Sequence, residues 1–119
     1  MGRSILESAE IAKKAMEAAL DKQAVDILML DIRQVTSFAD YFVICSADSD
    51  RQINAICDEI DGVLSEEGIN IYRREGSADS GWVLLDFGAV IVHVFDQTTR
   101  EYYDLEQLWG KATPVIRIL

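Results

Sequence analysis

The sequence predicts a mixed α/β (α+β) fold: a mixed sheet of about five strands with helices packed on it, in the order α-β-β-α-β-β-β-α. Two stretches repeat apolar residues every three or four positions, the signature of amphipathic helices. Several short, continuous apolar runs rich in branched and aromatic side chains read as strands. Gly88-Ala89 separates two of those runs at the spacing of a tight antiparallel hairpin.

Taken in order, Ser4 with Glu7 has the capping-box form, and Ile5, Ala9, Ala12, Met16 and Ala19 then make one apolar stripe. Helix one is expected from Ile5 to Asp21. The run from Asp26 to Ile32, with Ile27, Leu28, Met29 and Leu30, is too short and too continuously apolar for a free helix and reads as a buried strand. Thr36, Ser37 and Asp40 mark a polar connection, and Tyr41-Phe42-Val43-Ile44-Cys45 is the second strand. Ser49 and Gln52 repeat the capping box; Ile53, Ile56, Ile60, Val63 and Leu64 supply the stripe of a long helix two, which Gly68 closes. Ile69 to Arg73 is predicted as the third strand, followed by a flexible loop through Gly76, Ser77, Asp79, Ser80 and Gly81. Trp82 to Phe87 and Val90 to Phe95 form the hairpin. Leu105, Leu108 and Trp109 are spaced for a short third helix before Pro114 and an apolar tail.

The bulk properties bound the function. With 119 residues the chain is expected to form a single domain, residues 1–119, able to bury a core without a metal or a disulfide. Its apolar runs fall short of the roughly 18–20 residues that a membrane span needs. From Met1-Gly2-Arg3-Ser4 the chain goes straight into an amphipathic pattern with no apolar signal core, so a cytoplasmic location is expected. Gly2 does not fit a myristoylation signal, because Leu6 stands where that pattern wants Ser or Thr. Cys45, in an apolar strand pattern, and Cys57, on the inner stripe of a helix, read as reduced core thiols. One histidine and no close pair of cysteines give no zinc site, and no cofactor is expected. The 21 acids against 11 bases set the net charge at −10. Such a field repels phosphate backbones and suits a basic protein partner, although acidity of this kind also serves solubility alone.

Catalytic constellations are incomplete. His93 shares a strand face with Ile91 and Phe95, and Asp86 on the neighbouring strand could orient it, but no serine elbow lies beside it. Two-metal phosphoryl chemistry wants a second acid two residues after Asp40, and Phe42 is there instead. Asp26 and Asp31 flank another strand but point to opposite faces, while Asp58, Glu59, Asp61, Glu66 and Glu67 read as the solvated side of helix two. What remains is aromatic and acidic: Trp82, Asp86, Phe87, His93, Arg100, Tyr102, Tyr103, Asp104, Leu105 and Trp109. About half of these are expected in the core, with Phe87 or Phe95, Leu105, Leu108 and one tyrosine foremost; the others are expected to form a binding surface with an apolar centre and acidic neighbours.

Ser37-Phe38-Ala39-Asp40-Tyr41-Phe42-Val43-Ile44-Cys45-Ser46, Arg51-Gln52 opening a helix, Gly81-Trp82-Val83-Leu84-Leu85-Asp86-Phe87-Gly88, Val92-His93-Val94-Phe95 and the block from Arg100 to Trp109 resemble the ribosomal silencing factor, or Iojap-like, family. The resemblance spans about residues 26 to 112. It implies a nucleotidyltransferase-like topology without the catalytic acids, hence no enzyme activity. It also implies binding to the large ribosomal subunit through its universal protein fourteen, blocking the small subunit and repressing translation when nutrients are short. Matched block by block, the partner surface falls on Trp82, Leu84, Asp86, His93, Phe95, Arg100, Tyr102, Tyr103 and Asp104, with Asp40 and Tyr41 as weaker candidates. This chain has Phe87-Gly88-Ala89 where the family pattern has Tyr, Gly and Asp, so the contacts of that turn are not carried over. Two other readings stay open: a residual nucleotide transferase using Asp40, and an acidic self-association module forming a weak homodimer.

Overall fold

The computed structural model describes residues 7–119. Ser4 and Ile5, the expected cap and first turn of helix one, lie outside these residues. The described helix α1, Ser8–Asp21, is capped by Glu7, whose N–H donates to the Glu10 carboxylate at 3.1 Å. Ala12, Met16 and Ala19 of the expected stripe are buried, joined by Ile11, Ala15 and Ala18. The second helix, α2 (Asp50–Glu66), keeps half of the expected capping box: the Ser49 side chain accepts from the Gln52 N–H, while the Gln52 side chain accepts from the Asp48 N–H, and Ile53, Ile56, Cys57, Ile60 and Leu64 are the buried stripe.

The strands are β1 (Val25–Asp31), β2 (Tyr41–Ala47), β3 (Arg73–Ser77), β4 (Trp82–Asp86), β5 (Val90–Asp96) and β6 (Thr113–Ile118). They form one mixed sheet in the order β3-β4-β5-β2-β1-β6. Only the β2–β5 pair is parallel, because α2 and the β3–β4 excursion carry the chain back over the sheet between them. The hairpin of β4 and β5 is antiparallel as expected, with Trp82 opposite Phe95 and Leu84 opposite His93.

Three expectations are corrected. The sheet has six strands, because the tail pairs antiparallel with β1, Met29 facing Ile116. Pro114 does not prevent this: β6 is an edge strand, where a missing N–H toward solvent is tolerated. The third strand begins where the predicted one ends. Ile69 and Ile71 pack against the helix-side core from a loop, and the polar segment Arg73–Ser77 forms the exposed opposite edge. The late helical region also divides into α3 (Gln97–Tyr103) and α4 (Leu105–Leu108), of which only the second was expected. The Asp96 carboxylate starts α3 by accepting from the Thr99 N–H at 2.7 Å.

Strand alternation splits the apolar residues between two unequal layers. Val43, Cys45, Val83, Leu85, Val92 and Val94 lie under α1 and α2. Burial pushes the free thiols of Cys45 up to about 12 and Cys57 up to about 11, so neither forms appreciable thiolate near neutrality. The opposite face carries Leu28, Leu30, Phe42, Ile44 and Phe95. Among the described residues, α3, α4, the segments around Ala39 and Ala112 and the Tyr72 side chain reach that face, leaving part of it open.

Candidate functional site

The open face is paved by residues two apart on adjacent strands. β4 contributes Trp82, Leu84 and Asp86, β5 contributes Ile91, His93 and Phe95, and β2 adds Phe42, which is in register with Ile91. The predicted alternation of His93 with Ile91 and Phe95 is borne out, since both pack with the cluster on this face. Aromatic rings run across it without a break. Phe38 meets Trp109 at 5.9 Å, Trp109 meets Phe42 at 5.1 Å, and Phe42 meets His93 at 4.7 Å between centroids. Trp82 follows, 5.9 Å from His93 and 4.8 Å from Tyr103, and Tyr103 packs edge-on against Tyr102 at 5.0 Å. Between these rings lies a cleft of about 600 Å³, and a smaller hollow of about 280 Å³ shares Trp82 and Leu84 with it.

The end of the face is shaped by the α3–α4 turn. Asp104 has φ +47°, a left-handed conformation that Asp adopts more readily than most side chains, and it closes α3 with its N–H donating to the Arg100 carbonyl at 2.9 Å. The turn is anchored by Arg100, which is 4% exposed. Its Nη1 donates to the Asp26 carbonyl at 2.7 Å and to Ser46 Oγ at 2.8 Å, while Nε and Nη2 hold Glu106 at 3.2 and 3.0 Å. Asp26, itself at φ +47° in a β1 bulge, also takes a two-pronged contact from Arg117, 2.9 Å for each nitrogen. One guanidinium thus ties α3 and α4 to β1 and β2, and Tyr102 stands out from the result, 80% exposed.

Several expected site residues therefore play other parts. Phe95 and Arg100 are buried and support the face from within; neither offers a surface. Tyr41 is buried in the helix-side layer, on the far side of the sheet from the cleft, because it is one residue out of phase with Phe42. Asp40 sits half-buried beside the hairpin turn, its N–H donating to the Ala89 carbonyl at 2.7 Å. Leu108, Tyr102 and Tyr103, from which core members were expected, are all exposed, while Phe87, Phe95 and Leu105 are buried as expected.

His93 does not pair with Asp86. The Asp86 carboxylate accepts from the Gly88 N–H at 2.8 Å and lies 3.4 Å from the Arg73 guanidinium. His93 Nδ1 instead accepts from the Trp82 indole N–H at 3.2 Å, so the neutral ring carries its proton on Nε2 and has no free basic nitrogen. Desolvation by burial lowers its pKa from the usual value to about 4. The unfolded chain takes up this proton near pH 6.5 and the folded chain does not, so stability is fully present above that value and falls as the pH drops toward 4. At pH 5 the protein should be about 2 kcal/mol less stable than at pH 7 through this residue. Urea melts at the two pH values should show the difference, and His93→Gln should remove that part of the slope; an unchanged slope would exclude His93 as its source.

Phe38 and Tyr72 were not singled out beforehand as site residues, yet both line the cleft and are exposed. Phe38 had a signal, an aromatic within a polar connection. Tyr72 did not: it lies over Gly88, where an added Cβ would come within 2.7 Å of its ring. Among the described residues there is no group of three or more His, Cys, Asp or Glu placed to hold a metal, and no helix long and apolar enough to cross a membrane.

The fold and the site together define a small α/β protein with one sheet face armoured by helices and the other opened as an aromatic cleft. Its relatives share this pattern in sequence and in structure. A family model described as "Ribosomal silencing factor during starvation" matches residues 5–118. A ribosomal silencing factor of Bacillus subtilis is 48% identical over 102 residues, covering 86% of each chain, and one of Halalkalibacterium halodurans is 41% identical over 110 residues, 92% of this chain and 94% of that one. The chloroplastic protein Iojap of Zea mays is 33% identical over 92% of this chain and 47% of its own. A crystal structure from Chromobacterium violaceum superposes with a TM-score of 0.85 at 40% identity, covering 88% of each chain. The chain belongs to the ribosomal silencing factor (RsfS) family.

Proposed function

We propose that this protein acts in the cytoplasm as a non-enzymatic obstruction. It binds the large ribosomal subunit through universal protein fourteen and keeps the small subunit from joining, which represses translation under nutrient limitation. The observation that carries this reading is the aromatic face, where Trp82, Leu84, Tyr103 and exposed Tyr102 and Phe38 surround a cleft that no element of the described chain covers. Large rigid rings of this kind dominate the energy of protein interfaces. The proposed contact surface is Trp82, Leu84, Asp86, Tyr102, Tyr103 and Asp104, widened by Phe38, Tyr72 and Leu108. Behind it, His93, Phe95 and Arg100 fix its shape. The names of the relatives support a role at the ribosome, and the net charge of −10 suits a basic ribosomal protein as partner.

Sedimentation tests it. The pure protein should travel with large subunits through a sucrose gradient and lower the fraction of assembled ribosomes; migration at the top of the gradient would reject the proposal. Acid-to-base steering adds a salt dependence, so affinity should fall several-fold between about 0.05 and 0.5 M salt, mainly through the association rate. Affinity independent of salt would remove the electrostatic part.

A further inference from the structure

Two carboxylates at the border of the docking face share one cation. Arg73 Nε lies 3.1 Å from the Glu75 carboxylate and 3.4 Å from that of Asp86. Asp86 has a second donor in the Gly88 N–H at 2.8 Å, whereas Arg73 is the only cation paired with Glu75 among the described residues. The Glu75 side chain is also 53% exposed, against 19% for Asp86. Glu75 is thus the surplus acid, and it is free to change partner.

The smaller hollow, of about 280 Å³, opens beside it and is lined by Glu75, Gly76, Ser80, Trp82, Leu84 and Tyr103. The Trp82 and Tyr103 rings wall it, 4.8 Å apart between centroids and tilted 49° to one another. Position 76 adds no side chain to this space, and none fits there, since φ is +84° and an added Cβ would collide with the Trp82 carbonyl. Aromatic faces next to an exposed carboxylate form a receptor for a cation with a planar head.

Resting on the reading that this face docks on the large subunit, we propose that the hollow receives an arginine side chain of the basic ribosomal partner, its guanidinium stacked on Trp82 or Tyr103 and paired with Glu75. Glu75 exchanges Arg73 for the incoming group, and Arg73 stays with Asp86, so each carboxylate keeps a cation. An anionic group would face Glu75 instead, with Arg73 already divided between two acids. Lysine would supply the charge but not the flat, weakly hydrated head that stacks on a ring. Arg73 therefore competes with the partner, and the two neighbouring charges of β3 have opposite effects on binding.

Equilibrium binding to labelled large subunits reads these effects in three single substitutions. Glu75→Gln should lower affinity about five-fold at about 0.05 M salt and less than about two-fold at about 0.5 M. Arg73→Gln removes the competitor and should bind at least as tightly as wild type. Glu66→Gln makes the same change in net charge from an exposed position at the end of α2, on the other side of the sheet, and should alter affinity less than about two-fold. The Arg73 and Glu75 side chains are both more than half exposed, so the variants should melt with the wild type. Wild-type affinity in Glu75→Gln, an equal loss in Glu66→Gln, or a loss in Arg73→Gln would overturn the inference. If Trp82→Ala weakens binding while Glu75→Gln does not, the docking face stands and only the guanidinium seat is wrong. If the wild-type protein does not bind large subunits, the docking reading itself fails.

Discussion

Arg100→Met is expected to lower the stability of this protein by about 3 kcal/mol, and its melting temperature by roughly 10 °C. Methionine fills much of the same volume, so the loss reports the polar contacts. The Asp26 carbonyl and Ser46 Oγ would lose their donor inside the sheet, and Glu106 would lose both of its guanidinium contacts. Asp26 and Glu106 keep some access to water, which holds the cost below that of a fully buried unpaired charge. Arg100→Lys should recover only part of the loss, because one ammonium cannot reach the Asp26 carbonyl, Ser46 and Glu106 together. Affinity for the large subunit should fall as well, since the α3–α4 turn that presents Tyr102 and Tyr103 is anchored by the same side chain. Thermal denaturation followed by circular dichroism checks the first effect; a shift of less than about 3 °C would show that the network contributes little.

Trp82→Ala combined with Tyr102→Ala is expected to reduce large-subunit binding by about a hundred-fold, the sum of two interface aromatics at about 1.4 kcal/mol each. The two residues separate the possible causes. Tyr102 is exposed and touches Tyr103, so Tyr102→Ala should leave stability within about 0.5 kcal/mol of wild type while weakening binding about ten-fold. Trp82 is half-buried against Phe95 and His93, and its removal should cost both stability and affinity. Equilibrium binding to fluorescently labelled large subunits measures both variants. A folded double variant with unchanged affinity would move the interface elsewhere on the molecule.

The elements most legible in the sequence are those whose signals are local. Helix α2 carries its cap, its apolar stripe and its closing Gly68 within one continuous stretch, and the β4–β5 hairpin carries its turn between two branched runs. Where strand identity depends on a neighbour, the sequence is less informative. Arg73–Ser77 has no apolar alternation and becomes β3 only because β4 supplies hydrogen-bond partners. The tail becomes β6 only because β1 has a free edge to offer. The same division holds at the candidate site. The period-two pattern places Ile91, His93 and Phe95 on one face, but register sets Trp82 and Asp86 equally two residues from Leu84, the partner of His93, and the Asp86 carboxylate is taken by Gly88 N–H and Arg73, which no local pattern states. Arg100 is the extreme case. Its partners are 74, 54 and 6 positions away, and a lone arginine in an aromatic-acidic stretch reads as surface until the sheet is assembled around it.

Subunit joining measured by light scattering tests obstruction most directly. Purified large subunits preincubated with the protein should join small subunits more slowly and to a lower extent, in proportion to the occupied fraction, and the Trp82/Tyr102 double variant should restore joining. Full joining with the protein still bound to the assembled ribosome would contradict the account.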